Sequence, residues 1–231
     1  MAFMRKIVLS LGGSLIVPSG VDVAFLKDFR DAVAEETRKG TQFFIVCGGG
    51  KVARDYRDAA QKLGTTSPDA LDWIGIYATR FNAELLRTTF EKLAHPKVIS
   101  APSELGNPVE PVIVGGGTKP GHSSDFAAVE MAKHIGATTL INLSNIDYVY
   151  EKDPRKFPDA KKVERATWKE FRAILPPVET WTPGMNAPFD PVAAAEAEKS
   201  GLEVIIMNGK PLEHLKNYLE GKEFKGTVVR S

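Results

Sequence analysis

Three times in this chain an apolar, β-rich run ends in glycine: "KIVLSLGGSL" (Lys6–Leu15), "FFIVCGGGKVARDY" (Phe43–Tyr56) and "PVIVGGGTKPGHSSD" (Pro111–Asp125). Glycine lets backbone N–H groups approach a ligand closely, and a helix starting just after the turn adds about half a positive charge. That is chemistry for holding anions, phosphates above all. The pattern GK[ST] is absent, so there is no Walker lysine, and G-x-G-x-x-G is absent, so a dinucleotide fold is not indicated. Positive charge must come from elsewhere. Arg5 and Lys6 sit at the start of their strand, the wrong end; Lys51, Arg54 and Lys119 follow the carboxyl ends of theirs. Arg54 falls in the first turn of a helix, and a guanidinium suits bidentate phosphate contact. Lys51 reads equally as a ligand contact or as a solvated side chain. One glycine cluster alone is more simply a tight βα turn. Three of them, two with basic residues in or near the turn, favour the anion reading.

Short β-branched runs alternate with longer amphipathic segments, and these must position the glycine turns. Strands are expected at Lys6–Leu11, Gln42–Cys47, Lys97–Ser100, Pro111–Val114, Thr138–Leu143, Leu202–Met207 and Thr227–Val229. Helices are expected at Asp22–Lys39, Lys51–Leu63, Ser67–Leu93, Phe126–Ile135, Thr167–Leu175 and Pro191–Ser200. Alternation of this kind implies an α/β fold with a mostly parallel sheet covered on both faces. In open parallel sheets, ligands bind beyond the carboxyl ends of the strands, where all three glycine turns would lie. The proline-rich stretch Leu175–Pro191 is the least regular segment, read either as a loop over a site or as a long connection.

Composition excludes several classes. With 231 residues, 30 Lys+Arg against 29 Asp+Glu, and a net charge of +1, there is no basic field for nucleic acid or an anionic membrane. A single cysteine, Cys47, excludes an internal disulfide and lies in an apolar strand, where packing is the simpler role. The start, "MAFMRKIVLSLGGS", has too short an apolar run for a signal peptide, and no apolar stretch is long enough to span a bilayer. A soluble, cytoplasmic protein is the expectation.

The motifs "SLGGS", "GGGKVARDY", "LDWIGIYATRFNAELL", "GGTKPGHSSD", "NIDYVYEKDPRKFPDAKK" and "FDPVAAAEAEKSG" follow one another as in the amino acid kinase superfamily, and the chain most resembles its archaeal-type UMP kinase (uridylate kinase) family. The resemblance spans nearly the whole chain and implies a single three-layer αβα sandwich with a mainly parallel open sheet. It also implies transfer of the γ-phosphoryl of ATP to UMP with Mg²⁺, and a homo-oligomer, a hexamer. Residues 1–120 would form the acceptor lobe and residues 121–231 the ATP lobe. By the same resemblance Gly48, Gly49, Arg54, Gly116, Ser123 and Ser124 would hold UMP, with Asp72 on its ribose hydroxyls. Ser10, Ser144, Asn145, Asp147, Tyr150 and Asp153 would line the ATP side. Tyr150 offers a flat ring to adenine, and Asp153 a carboxylate to the ribose. Gly12, Gly13, Ser14 and Asp125 would form the catalytic set, Asp125 organising the reacting phosphates or their metal. His122 invites a catalytic role that the motif does not require. Phosphoryl transfer asks mainly for positioning and charge neutralisation, because the acceptor phosphate is already an anionic nucleophile.

Two positions depart from the superfamily pattern. Where many members carry a lysine two residues before the first glycine, this chain has Ser10; where a second lysine is usual in the DPxAxK helix, it has Ala195. Lys199 reaching back, Mg²⁺ carrying more charge, or a lysine from a nearby strand such as Lys6 could compensate. Two other readings stay open: a carboxylate or carbamate acceptor on the same fold, and a nucleotide- or oxyanion-binding protein without catalysis. The helix Ser67–Leu93 carries Trp73, Tyr77 and Phe81, an apolar band broad enough for core and subunit contact.

Overall fold

The protein is described by a computed structural model covering residues 5–185 and 187–231. In chain order the principal elements begin β1 (Arg5–Leu11), α1 (Gly13–Ile16), α2 (Val23–Arg38), β2 (Thr41–Cys47), α3 (Gly50–Lys62), α4 (Pro68–Thr89), β3 (Val112–Gly115), α5 (Ser124–Ile135) and β4 (Thr139–Ser144). They continue with β5 (Val149–Tyr150), β6 (Lys162–Val163), β7 (Arg165–Thr167), α6 (Trp168–Ile174), α7 (Pro191–Lys199), β8 (Glu203–Asn208), α8 (Glu213–Leu219) and β9 (Thr227–Arg230).

Seven strands form one sheet in the order β3-β2-β1-β4-β8-β9-β7, while β5 and β6 form a separate two-stranded ribbon. All neighbours in the large sheet are parallel except β8 and β9. Strand periodicity then sorts the core into two layers. Ile7, Leu9, Phe43, Ile45, Ile141 and Ile205 face one way, onto Phe29 and Val33 of α2, Leu86 of α4 and Leu215 of α8. Their neighbours Val8, Phe44, Ile113, Leu140, Val204 and Ile206 face the other way, onto α5, α6 and α7. The expected three-layer αβα sandwich with a mainly parallel sheet is what forms.

From β1 the chain steps outward through β2 to β3, then returns to place β4 on the other side of β1. The strand order therefore reverses between β1 and β4, and a crevice opens there at the carboxyl ends of the strands.

Local chemistry fixes most boundaries. Helix α4 starts where Ser67 accepts from Ala70 N at 3.3 Å, just before Pro68. Helix α6 has a full capping box between Thr167 and Glu170. Helix α5 stops at Gly136, which takes φ 68°.

The differences from the sequence reading have physical causes. Lys97–Ser100 is not a strand: only Ile99 bridges to Gly115, at the edge of a β3 that is itself four residues long. Helix α4 ends at Thr89 rather than Leu93, because Glu91 takes φ 48° and the chain tightens into one 3₁₀ turn. β5, β6 and β7, of two or three residues each, are too short to show a period. Helix α8 has no side-chain N-cap and buries only Leu215, so neither signal marks it. Cys47 is fully buried and burial raises its thiol pKa, which leaves it a packing residue. Among the described residues no helix is long and apolar enough to cross a membrane.

Candidate active site

The glycine turns after β1 and β2 pack backbone against backbone. Gly48 N donates to Leu11 O at 2.9 Å and Gly12 N to Leu143 O at 2.8 Å. A Cβ on Gly13 would collide with the Gly50 amide, and Gly50 itself has φ 60°, so both positions require glycine.

Helix α4 braces this assembly from behind. Asn82 Nδ2 donates to Gly48 O at 2.8 Å and Gly49 O at 3.2 Å. Thr79 Oγ1 accepts from Gly117 N at 2.6 Å, while Arg80 donates from Nε to Gly117 O at 3.0 Å and from Nη2 to Thr118 O at 3.1 Å. One helix thus holds the second and third glycine turns at a fixed separation. These three side chains lay within a motif visible in the sequence, but their bracing role depends on partners 33 to 38 residues away. Asn82 is only 2% exposed. Asn82→Ala would leave two backbone carbonyls short of a donor, at about 2 kcal/mol. A thermal melt should show the midpoint falling by several degrees.

At the switch point Ser10 of β1 and Asn142 of β4 are register partners on the face that meets α5. Both reach one oxygen of Asp125, in the first turn of α5: Ser10 Oγ donates to Asp125 Oδ1 at 2.9 Å, and Asn142 Nδ2 donates to the same atom at 2.8 Å. The other oxygen accepts Asp190 N at 3.3 Å. Burial pushes the Asp125 carboxyl up to about 6; the Ser10 hydrogen bond pulls against this and the nearby Asp190 charge adds to it.

Asp190, buried at the N-terminus of α7, accepts Val192 N at 2.7 Å and Ala193 N at 3.2 Å, and takes the Ser123 hydroxyl with its second oxygen. Burial raises its carboxyl as well, opposed by those hydrogen bonds. Sequence reasoning gave Asp190 no role. Its signal was the Asp-Pro pair opening a helix, which reads as a cap and nothing more.

Beside this network lies a cleft of about 480 Å³ whose walls include Gly49, Arg54, Asp72, Ser123 and Ser124. Five of the seven residues expected to hold the acceptor therefore meet in one place. Gly48 and Gly116 sit behind the wall instead, with Gly116 packed on Thr79 and Arg80. Arg54 makes no ion pair or hydrogen bond with another described residue, so its guanidinium is free toward the cleft. Asp72 accepts Gly121 N at 2.8 Å and stands 3.6 Å from Arg57. His122 lines the same cleft with its ring against Phe126, centroids 4.1 Å apart; burial and then Lys119 lower its pKa.

Of the residues expected on the ATP side, Ser10 lies in β1 and the others run from the last residue of β4 onward, and none of them lines this cleft. Ser144 O accepts Gly209 N at 2.9 Å, and Asp147 Oδ1 accepts Asn208 Nδ2 at 2.7 Å, tying the ends of β4 and β8 together. Asn145 lies between these two ties. Tyr150 is in the β5–β6 ribbon opposite Lys162. Asp153 takes Arg155 in a fork, with 3.0 Å at each oxygen, and that hydrogen bonding lowers its carboxyl pKa.

None of the compensating lysines stands at Asp125. Lys199 is 74% exposed and turns to Glu196 at 3.8 Å. Lys210 pairs with Asp22 and lies 5.3 Å over the Phe25 ring. Lys6 is at the amino end of β1, the opposite end of the strand from the glycine turn. A hydroxyl, an amide and a backbone N–H surround the carboxylate instead.

The amino acid kinase family matches residues 5–208 of this chain. The chain is 35% identical over 229 residues to a uridylate kinase of Pyrococcus abyssi, covering 97% of this chain and 99% of that protein. It is 37% identical over 220 residues to a uridylate kinase of Thermoplasma volcanium, with 94% of each covered. Among solved structures, a uridylate kinase from Archaeoglobus fulgidus superimposes with a TM-score of 0.81 at 35% identity, covering 97% of this chain and 99% of that one. A UMP kinase from Ureaplasma parvum shares the fold, with a TM-score of 0.78 at 20% identity. With its glycine turns, its Arg54 cleft and its Asp125 network, the chain belongs to the amino acid kinase family, in the group that contains the archaeal uridylate kinases.

Proposed function

We propose that this chain is a UMP kinase that transfers the γ-phosphoryl group of ATP to the phosphate of UMP, giving UDP and ADP. The observation that carries the reading is the cleft itself: a guanidinium with no partner among the described residues, glycine amides and two serines at a helix N-terminus converge beside a carboxylate at the switch point. Arg54, Gly49, Ser123 and Ser124 bind the UMP phosphate, and Asp72 takes the ribose hydroxyls. The first glycine turn and the loop after β4 hold ATP, with Ser144, Asn145, Asp147, Tyr150 and Asp153 on that side. Residues 1–120 then serve the acceptor and residues 121–231 mainly ATP. Full-length likeness to uridylate kinases does not favour a carboxylate or carbamate acceptor.

Among the described residues no group of three His, Cys, Asp or Glu side chains surrounds a metal site. That suits Mg²⁺ carried on nucleotide phosphates, which needs only one or two carboxylates from the protein. Asp125 fits such an ion, because its second oxygen has one long hydrogen bond. When bound, the ion supplies positive charge to the migrating phosphoryl group. Ser10 and Asn142 keep the carboxylate aimed, and the glycine amides align the acceptor for in-line attack.

The hexamer implied by the resemblance has support in α4, where Tyr77 (63% exposed) and Phe81 (73%) lie on one face with Trp73. A cytoplasmic location accords with the charge balance and the single buried cysteine. A coupled ADP assay with UMP, CMP and AMP tests the function: turnover is expected with UMP, and none with any nucleoside monophosphate would defeat it.

A further inference from the structure

The acceptor cleft is not built from the first half of the chain alone. Thr182, Pro183, Gly184 and Met185, from the irregular stretch before α7, line the same cleft as Arg54 and Asp72. A short strap from the other half of the sequence thus forms part of its wall.

Arg57 fastens the strap there. It lies three residues after Arg54, so both guanidinia leave the same face of α3. Unlike Arg54 it is engaged: Nη1 donates to Pro183 O at 2.9 Å, and Nη2 lies 3.6 Å from Asp72 Oδ1. One side chain therefore joins the strap to the carboxylate assigned to the ribose. Gly184 makes the contact possible. It has φ 96°, and a Cβ there would stand 2.6 Å from Arg57 Nη1. Just before the strap, Trp181 is buried with an indole N–H that has no partner among the described residues. Leaving a buried donor unpaired costs about 1–3 kcal/mol. Such a local cost is characteristic of functional segments.

Geometry sets what the strap touches. The phosphate end of the cleft is fixed by Gly49, Arg54 and the α5 N-terminus. An acceptor extending from there toward Asp72 brings its nucleoside under the strap. Among the residues lining the cleft, Met185 of the strap offers apolar surface, suited to the face of a planar ring. Resting on the UMP kinase reading above, we infer that Thr182–Met185, latched by Arg57, is the nucleoside-side wall of the acceptor site and limits the size of base admitted. Arg57 and Gly184 act as specificity-determining positions through the strap.

The test uses the full chain with Arg57→Ala and Gly184→Ala, measuring UMP binding by calorimetry and kcat/KM for UMP and AMP. Gly184→Ala leaves every charge in place and only displaces the strap. Each variant should weaken UMP binding about tenfold, hold the KM for ATP within about threefold, and lower the UMP-to-AMP preference about tenfold. The double variant should be no worse than the weaker-binding single, because both changes release one contact. Unchanged UMP affinity and preference in Gly184→Ala would overturn the strap, as would an equal rise in the KM for ATP. A wild-type chain that binds UMP without phosphorylating it would defeat the kinase reading alone, with the calorimetric comparison still deciding the strap. A wild-type chain that binds no UMP would overturn both.

Discussion

Replacing Arg54 by alanine should raise the KM for UMP about 10²-fold while leaving the KM for ATP nearly unchanged. The guanidinium lines the acceptor cleft and is held by no other described side chain, so it is free to give both its donors to a phosphate. Charge-assisted hydrogen bonds are worth about 1.5–3 kcal/mol each, and a bidentate pair in a partly closed cleft justifies two orders of magnitude. Arg54→Lys should recover only part of the loss, because an ammonium keeps the charge but not the fork. Lys51, nearby on the same helix, is turned to Asp55 at 2.6 Å and does not line the cleft. Initial rates with one nucleotide varied at saturating concentrations of the other would separate the two KM values. A loss falling on ATP instead would mean that the two substrates have been assigned to the wrong halves of the crevice.

Asp125→Asn should have the larger effect on turnover, lowering kcat by about 10²–10³ with a small change in UMP binding. Asparagine keeps the size and an oxygen for Ser10 and Asn142, but removes the carboxylate charge proposed to organise the reacting phosphates through their cation. The same substitution should stabilise the fold. In the folded protein burial raises this carboxyl from 3.8 to about 6. A raised acid pKa means that ionisation disfavours the folded state. The penalty is absent below pH 3.8, develops between 3.8 and about 6, and is complete above that. Asp125 is partly buried, so its full value is on the order of 2 kcal/mol. The variant should therefore melt several degrees above wild type at pH 7.5, and the gap should close toward pH 4. A variant that melts no higher at pH 7.5 would show that the three hydrogen bonds around Asp125 offset its desolvation fully. Loss of activity together with gained stability is the pattern of a charge kept for chemistry.

The lysine-poor site also becomes intelligible. A lysine at position 10 would set an ammonium against Asp125; here Ser10 gives a hydroxyl to the same carboxylate at 2.9 Å. The aspartate is thus oriented without being neutralised, as the proposed nucleotide-borne cation would require. Lys199 and Lys210 are engaged elsewhere, so neither replaces the missing charge.

Much of this was legible in the residues themselves. Buried strands show as β-branched runs, helix starts as Ser67-Pro68 and Thr167-x-x-Glu170, and the three glycine turns as glycines placed directly after strands. These are local properties, decided within a few residues by backbone freedom, side-chain caps and the period of apolar positions. Tertiary structure decided what those pieces do together. Only the strand order puts β4 beside β1, which makes Ser10 and Asn142 partners on a carboxylate 115 and 17 residues distant. Only packing turns Thr79, Arg80 and Asn82 into braces for two glycine turns, and only the path of residues 182–185 brings Pro183 to Arg57, 126 positions earlier. Contacts over such separations are set by which surfaces the folded layers bring together, and no local period or cap records that.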